Sequence, residues 1–272
     1  MTPHSLMGSG RQTVHEGETM ILVLGGTTEG RLTAGLLDEL RMPFIYSTKT
    51  PVEPFATSYG VFRHGALLES AIGGFLSAHH ITKVIDAAHP FAARLHWLIF
   101  NACRDDGVRL MRFERPSPVE LFASLEDNGI VRVHDFEEAI AVLEEIRPLN
   151  LLALTGVQSI APLRSWWRHN ATVLRILPVP SSLQIADEQG FPQENLILTP
   201  PSESQSDLES LIRIHNVDCV LTKESGASGF LPSKIRAAAA CAIPLVLIMR
   251  PPNPDYRHLV TSLDELRNLL LC

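Results

Sequence analysis

The first apolar run of the chain is Ile21-Leu22-Val23-Leu24, closed by Gly25-Gly26. A short run without polar alternation fits a strand buried on both faces, as in a parallel sheet. Leu32, Leu36, Leu37 and Leu40 then recur at the spacing of one helical face, and Phe44-Ile45-Tyr46 returns to strand. Strand, glycine turn, helix and strand in close succession make a βαβ unit with a right-handed crossover. The alternation continues. Residues 61–63 predict a strand, 67–78 a helix interrupted by Gly73-Gly74, 84–86 a strand, 91–106 a helix and 109–113 a strand. Arg115-Pro116-Ser117-Pro118 breaks the pattern and marks a domain crossing.

A second series follows. It predicts a strand at 131–133, a helix over 136–146 capped by Asp135, and a strand at 151–154 ending at Thr155-Gly156. Further strands are expected at 172–175, 196–198 and 218–222, a helix at 233–241, a strand at 245–249 and a helix at 263–271 capped by Ser262. Strands alternating with helices predict an α/β fold: two Rossmann-like domains with parallel sheets and a cleft between them. The expected boundaries are 20–118 for an N-terminal cofactor-binding domain and 119–272 for a C-terminal one. Residues 1–19 are polar, Gly/Ser-rich and lack the apolar core of a signal peptide. They are expected to be a disordered extension or tag, with Met20 as the natural start.

Composition narrows the function. Hydrophobic residues make up 45% and charged residues 19% of 272, a globular balance. The net charge of −7 leaves no basic excess to neutralise a phosphate backbone, so no nucleic-acid partner is expected. No run approaches the roughly 18 apolar residues of a membrane span. Cys103, Cys219, Cys241 and Cys272 form no C-x-x-C pair, and neither H-E-x-x-H nor G-x-S-x-G occurs. The expectation is a cytoplasmic protein with reduced thiols, no metal, and a monomeric or weakly homo-oligomeric state.

The loops at strand ends carry the chemistry. In Gly25-Gly26-Thr27-Thr28-Glu29-Gly30, backbone N–H groups from Gly25 to Thr28 would meet the start of the first helix, where orphan amides and the helix dipole favour phosphate. The alternative is a tight turn without a ligand. The second strand runs into Ser47-Thr48-Lys49 with no acid to read a ribose, which leans towards a 2′-phosphate; a solvated loop lysine is the plain alternative. Asp86-Ala87-Ala88-His89-Pro90-Phe91-Ala92 follows another strand, and His89 there could bind a carboxylate or carry a proton. A fourth loop, Thr222-Lys223-Glu224-Ser225-Gly226-Ala227-Ser228-Gly229, precedes a helix holding Lys234 and offers a second anion-accepting turn.

Taken together, Gly25-Gly26-Thr27-Thr28-Glu29, Asp86 to Ala92, Arg112 to Pro116, Thr155-Gly156, Thr222 to Gly226 and Lys234 resemble, in order and spacing, the precorrin-6A and cobalt-precorrin-6A reductases. The resemblance spans residues 20 to about 252. It implies an NADPH-dependent reductase of cobalamin biosynthesis that reduces one double bond of a corrinoid, a tetrapyrrole, to the 6B form. It implies cofactor binding by Gly25, Gly26, Thr27, Thr28 and Glu29, with Ser47, Thr48 and Lys49 at the ribose end. Asp86, His89, Pro90, Phe91, Arg115, Thr222, Lys223, Ser225, Gly226 and Lys234 would meet the substrate, and the proton would come from His89 or Lys223, from water or from the macrocycle itself. The chain departs from the family pattern at Ala88, at Thr199-Pro200-Pro201-Ser202, at Pro118, at Phe230 and over Arg63 to Leu67. These departures keep open a reductase of another substrate, or a non-catalytic tetrapyrrole- or nucleotide-binding protein on the same scaffold.

Overall fold

The computed structural model describes residues 20–117 and 129–272. The expected extension at 1–19 and the expected boundary between 118 and 119 fall outside the described residues. The chain opens with β1 (Met20–Leu24), α1 (Thr28–Glu39), β2 (Phe44–Thr48), β3 (Gly60–His64), α2 (Ile72–Ala78), β4 (Ile81–Asp86), α3 (Ala93–Asp106) and β5 (Arg109–Phe113). It continues with β6 (Ile130–Val133), α4 (Phe136–Ile146), β7 (Leu151–Leu154), the single turn α5 (Arg164–Trp167), β8 (Thr172–Ile176), α6 (Pro180–Glu188), β9 (Leu196–Leu198), α7 (Gln205–Ile214), β10 (Cys219–Lys223), α8 (Leu231–Ala240) and β11 (Leu245–Ile248). It closes with β12 (Leu259–Val260) and α9 (Leu263–Leu271).

Two six-stranded sheets result, in the orders β12-β5-β4-β1-β2-β3 and β6-β11-β10-β7-β8-β9, and every pairing is parallel. The fold is α/β with Rossmann-like strand order, as expected. Every residue of β1, β2, β7 and β11 is buried, which explains the unbroken apolar character of β1, β7 and β11, while β2 ends in buried Ser47 and Thr48. In each sheet the strand order reverses once, between β1 and β4 and between β7 and β10. Such reversals leave a crevice at the carboxyl ends of the strands.

Contacts divide the chain into one unit running through Arg115 and resuming at Pro252–Cys272, and a second over Pro116–Pro251. Residues 252–272 therefore differ from the expected 119–272 grouping. β12 pairs with β5, and Val260, Leu266 and Leu270 enter the core of the first unit beside Val23 and Met111. The helix expected over 67–78 begins only at Ile72, and α6, α7 and β12 were not anticipated. Asp135 and Ser262 cap α4 and α9 by accepting from Glu138 N and Glu265 N, as the sequence suggests. Cys103 and Cys219 are buried free thiols, and burial pushes both up to about 12. Among the described residues no helix is long and apolar enough to cross a membrane.

Candidate functional site

The glycine loop of the first unit is built around Tyr46. A Cβ at Gly25 would lie 2.2 Å from the Tyr46 ring, and one at Gly30 would lie 2.8 Å from the Gly25 backbone. Those two glycines thus let strand, helix and ring pack together. Gly26 serves differently: its φ is +88°, it is exposed, and a Cβ there would meet only Thr48 Cγ2 at 3.8 Å. Backbone can therefore be approached closely at Gly26. The donors differ in part from expectation. Gly25 N–H is given to Ser47 O at 2.9 Å and Gly26 N–H to Tyr46 Oη at 2.9 Å. The exposed donor shifts to the start of α1, where Thr28 has no intrahelical acceptor because it opens the helix. Thr27 caps that helix, accepting from Gly30 N at 2.9 Å and donating to Ala87 O at 2.6 Å. The second bond ties the glycine loop to the loop after β4. Glu29 is buried, and Arg115 donates to its carboxylate at 2.5 Å. Two expected ligand residues, one for cofactor and one for substrate, are thereby paired with each other.

Asp86 ends β4 and is fully buried. Its Oδ1 accepts from Ala88 N and Arg112 Nη1, both at 3.1 Å, and its Oδ2 accepts from Tyr256 Oη at 2.8 Å and lies 2.7 Å from His96 Nδ1. Burial alone would raise this carboxyl, but the His96 bond, the Arg112 charge and the Tyr256 hydroxyl hold it below the ordinary carboxylate range. A carboxylate so enclosed does not reach a ligand, which corrects the expectation that Asp86 meets substrate. Its role is to anchor the loop. Arg112 adds bonds to Ala88 O at 2.9 Å and to Glu114 Oε2 at 3.3 Å, and His96 Nε2 faces His89 O at 3.1 Å. Pro90 is buried, while His89 is exposed and accepts from Phe91 N–H at Nδ1, 3.2 Å away. The Phe91 ring lies 5.9 Å from the His89 ring.

At the end of β2, Ser47 and Thr48 are buried and Lys49 is exposed. Arg63 of β3, which the sequence reading passed over, reaches Ser47 Oγ at 3.0 Å and Gly65 O at 2.6 Å and stacks over Phe75. Its described partners are neutral oxygens and a ring. Burial lowers its guanidinium from the ordinary value.

The second unit has its own strand-end loop after β10. Thr222 is buried with its hydroxyl 3.5 Å from Leu154 O, and Ser225 Oγ donates to Gly229 O at 3.3 Å. Gly226 adopts φ +73°, the left-handed turn that needs a glycine. Glu224 is buried against Arg250 and accepts from Ser117 Oγ at 3.1 Å. Lys223 lies 5.0 Å from the Phe136 ring centroid, and burial brings its ammonium down to about 8. Lys234, in the first turn of α8, is buried, and burial followed by the charge of Arg175 brings it down to about 7. Among the described residues no group of three His, Cys, Asp or Glu stands close enough to hold a metal.

Known proteins match this architecture along nearly its whole length. Residues 20–270 match the family described as Precorrin-6x reductase CbiJ/CobK. The precorrin-6A reductase of Rhodobacter capsulatus is 31% identical, with 87% of this chain and 90% of the relative covered. The cobalt-precorrin-6A reductase of Methanothermobacter thermautotrophicus is 29% identical over 92% of this chain and 83% of its own. That of Salmonella typhimurium is 28% identical over 88% and 89%. A solved structure described as CobK precorrin-6A reductase superimposes with a TM-score of 0.73 at 25% identity, covering 93% of this chain and 96% of that one.

Proposed function

The chain belongs to the precorrin-6x reductase family and is a reductase of cobalamin biosynthesis that works with a nicotinamide cofactor; from that premise we propose that the cofactor is NADPH, held at the β1–α1 loop, and that the substrate is precorrin-6A or its cobalt form. The observation that carries the cofactor reading is the exposed turn from Gly26 to Thr28. It sits where the strand order reverses, at the start of a helix, with no side chain but Thr48 near the Gly26 Cα face. A dinucleotide pyrophosphate needs that combination of close backbone approach and orphan amides. The choice of NADPH over NADH rests on the end of β2. No acid stands there to take a ribose 2′-hydroxyl, whereas Ser47, Lys49 and the Arg63 guanidinium suit a 2′-phosphate.

A bound reduced pyridine nucleotide supplies the hydride that saturates one double bond of the macrocycle. The protein's work is orientation and proton supply. Thr27 locks the cofactor loop to Ala87, and Asp86 locks the following loop from behind, so His89 is held at a fixed offset from the cofactor. A neutral His89 ring that accepts at Nδ1 carries its N–H on Nε2, where it would hydrogen-bond a substrate carboxylate; supplying a proton would require the imidazolium, which gives up the Phe91 bond at Nδ1. Phe91 would offer an apolar face to the macrocycle. In the second unit Lys223 would pair with a carboxylate or donate a proton, helped by an ammonium poised near neutrality. Thr222, Ser225 and Gly226 would shape the same turn.

The deciding experiment is a titration of NADPH and NADH into the purified protein, followed by nucleotide oxidation with precorrin-6A and with cobalt-precorrin-6A. The expected result is tighter binding of NADPH and oxidation only when a corrinoid is present. Arg63→Met should lose most of the preference for NADPH. Equal affinity for both nucleotides in the wild type would overturn the cofactor assignment, and binding of both ligands without turnover would overturn the catalytic one.

A further inference from the structure

Arg175 and Lys234 are buried cations of the second unit, 6% and 5% exposed. Arg175 stands one residue from the carboxyl end of β8, and Lys234 stands in the first turn of α8. Strand alternation puts Arg175 on the face of Val173, which packs against the cluster containing Leu208 and Ile212 of α7 and Leu231 and Ile235 of α8. Beside Arg175 in register is Ile197, another member of that cluster. The surroundings are therefore apolar, and Lys234, on the α8 face of Leu231 and Ile235, is buried against the same cluster that Val173 packs on.

Neither side chain makes a hydrogen bond or an ion pair among the described residues, and no carboxylate there acts on either. Glu224, the buried acid of the same unit, is engaged by Arg250 and Ser117. Buried charges are ordinarily paired, because stripping a cation of water without a counter-charge is costly. Two adjacent ones without an acid are harder still to keep. The start of α8 adds to the imbalance: it follows Phe230 without a side-chain cap, and Ser233, next to Lys234, is fixed by donating to Glu203 O at 2.6 Å.

We propose that Arg175 and Lys234 form an oxyanion-binding subsite where the carboxyl end of β8 meets the first turn of α8. A guanidinium fork and an ammonium at a helix start suit a carboxylate or a phosphate group, each of which offers several acceptor oxygens on one centre. The subsite stands apart from the assignment of reaction and cofactor. Within that assignment it takes a side-chain carboxylate of the corrinoid, because the nucleotide's phosphates are assigned to the first unit. An occupant also explains why two cations persist in an apolar setting, since the anion completes the pair.

The test uses the full-length protein. Inorganic phosphate and acetate are each titrated against chloride at matched ionic strength, and the thermal midpoint is followed for wild type, Arg175→Met and Lys234→Met. Phosphate raises most midpoints as an excluded salt, so the difference between wild type and variants reads the site. The wild-type midpoint should rise saturably and the variants should lack that component. Without added anion neither variant should be less stable than wild type, because each removes an uncompensated buried charge. Acylation of Lys234 in the wild type, followed by mass spectrometry, gives a readout that needs no variant: phosphate or acetate should slow it about ten-fold or more. A rise in the NADPH Kd at unchanged NADH Kd in either variant would place the 2′-phosphate here and overturn the corrinoid assignment of the subsite. A roughly ten-fold rise in the corrinoid KM at unchanged nucleotide affinity, the loss expected for one charge-assisted hydrogen bond, assigns it to a carboxylate. Identical anion responses in all three proteins, or acylation of Lys234 indifferent to both anions, overturn the subsite.

Discussion

Asp86 holds together groups drawn from four places in the first unit: Ala88 in the following loop, His96 on α3, Arg112 on β5 and Tyr256 in the closing segment. Removing its charge leaves buried Arg112 with only the more distant Glu114 carboxylate, at 3.3 Å. Asp86→Asn should therefore destabilise the protein by on the order of 3–5 kcal/mol, and Tyr256→Phe, which deletes one bond, by about 1–1.5 kcal/mol. Urea unfolding measures both. If Tyr256→Phe instead leaves stability intact and raises the substrate KM, Asp86 faces ligand after all. The buried lysines make a second prediction. The unfolded chain keeps the Lys234 proton up to its ordinary 10.5, while the folded chain releases it near 7, and Lys223 behaves likewise near 8. Raising the pH from 7 to 9 thus removes the lysine protons only from the folded state, and stability should climb across that window. Above about 9 the trend should reverse. There unfolded thiols ionise, while Cys103 and Cys219 stay protonated up to about 12 in the fold. Urea midpoints at pH 7 and 9 check the sign, and Lys234→Met should weaken the climb.

The β1–α1 loop separates stability from binding. Thr27→Ala loses a helix cap, worth about 1 kcal/mol, together with the Ala87 bond, so it should lower both stability and nucleotide affinity. Thr28 is exposed at the opening of α1, and Thr28→Ala should weaken nucleotide binding at nearly unchanged stability. Thermal unfolding and nucleotide titration of the two variants tell them apart, and unchanged affinity in both would remove the phosphate from this loop. Gly26→Ala is a poorer probe, because φ +88° strains any L side chain by roughly 1–2 kcal/mol. The elements that carry this loop were legible because they are punctuated locally. β5, α4, β7, β9 and α9 fall at their expected residues; β7 and β9 are continuous apolar runs, α4 and α9 are amphipathic stretches with an Asp or Ser cap, and β5 carries apolar residues between Arg109 and Arg112. α7 bears the same signals in Ser204, Leu208 and Ile212 over ten residues, one more than α9, and was equally open to recognition. Site partners were less legible. Glycine loops announce themselves, whereas Tyr256 to Asp86 spans 170 positions and Arg63 to Ser47 spans 16, distances set by topology rather than spacing. Arg175 reads in sequence as the polar position of an alternating strand, and only the helix packed over it makes it buried.

The return of the chain's end to its beginning has a consequence for how the protein folds. The first sheet builds five of its strands from one stretch and takes its sixth from elsewhere, since β12 joins β5 after the whole second unit has intervened, whereas all six strands of the second sheet, β6 to β11, lie in one continuous stretch. The first unit therefore cannot complete its core until residue 270 is available. Val260, Leu266 and Leu270 are buried there, at roughly 1.5–3 kcal/mol each, and the same segment supplies Tyr256 to Asp86 and Asn253 to Glu114. Their sum is comparable to the whole stability of a typical domain, about 5–15 kcal/mol. A chain ending at Pro251 should leave the β5 edge unpaired and Asp86 short of a donor, and should fail to hold the first unit folded, while the second unit, whose six strands are all present, keeps its sheet. Proteolysis and hydrogen exchange read the two separately. Protection should vanish across β1 to β5 and persist across β6 to β11, and nucleotide binding should be lost with the former. Retained protection of β4 and β5 in the shortened chain would show that the closing segment decorates a core already complete without it.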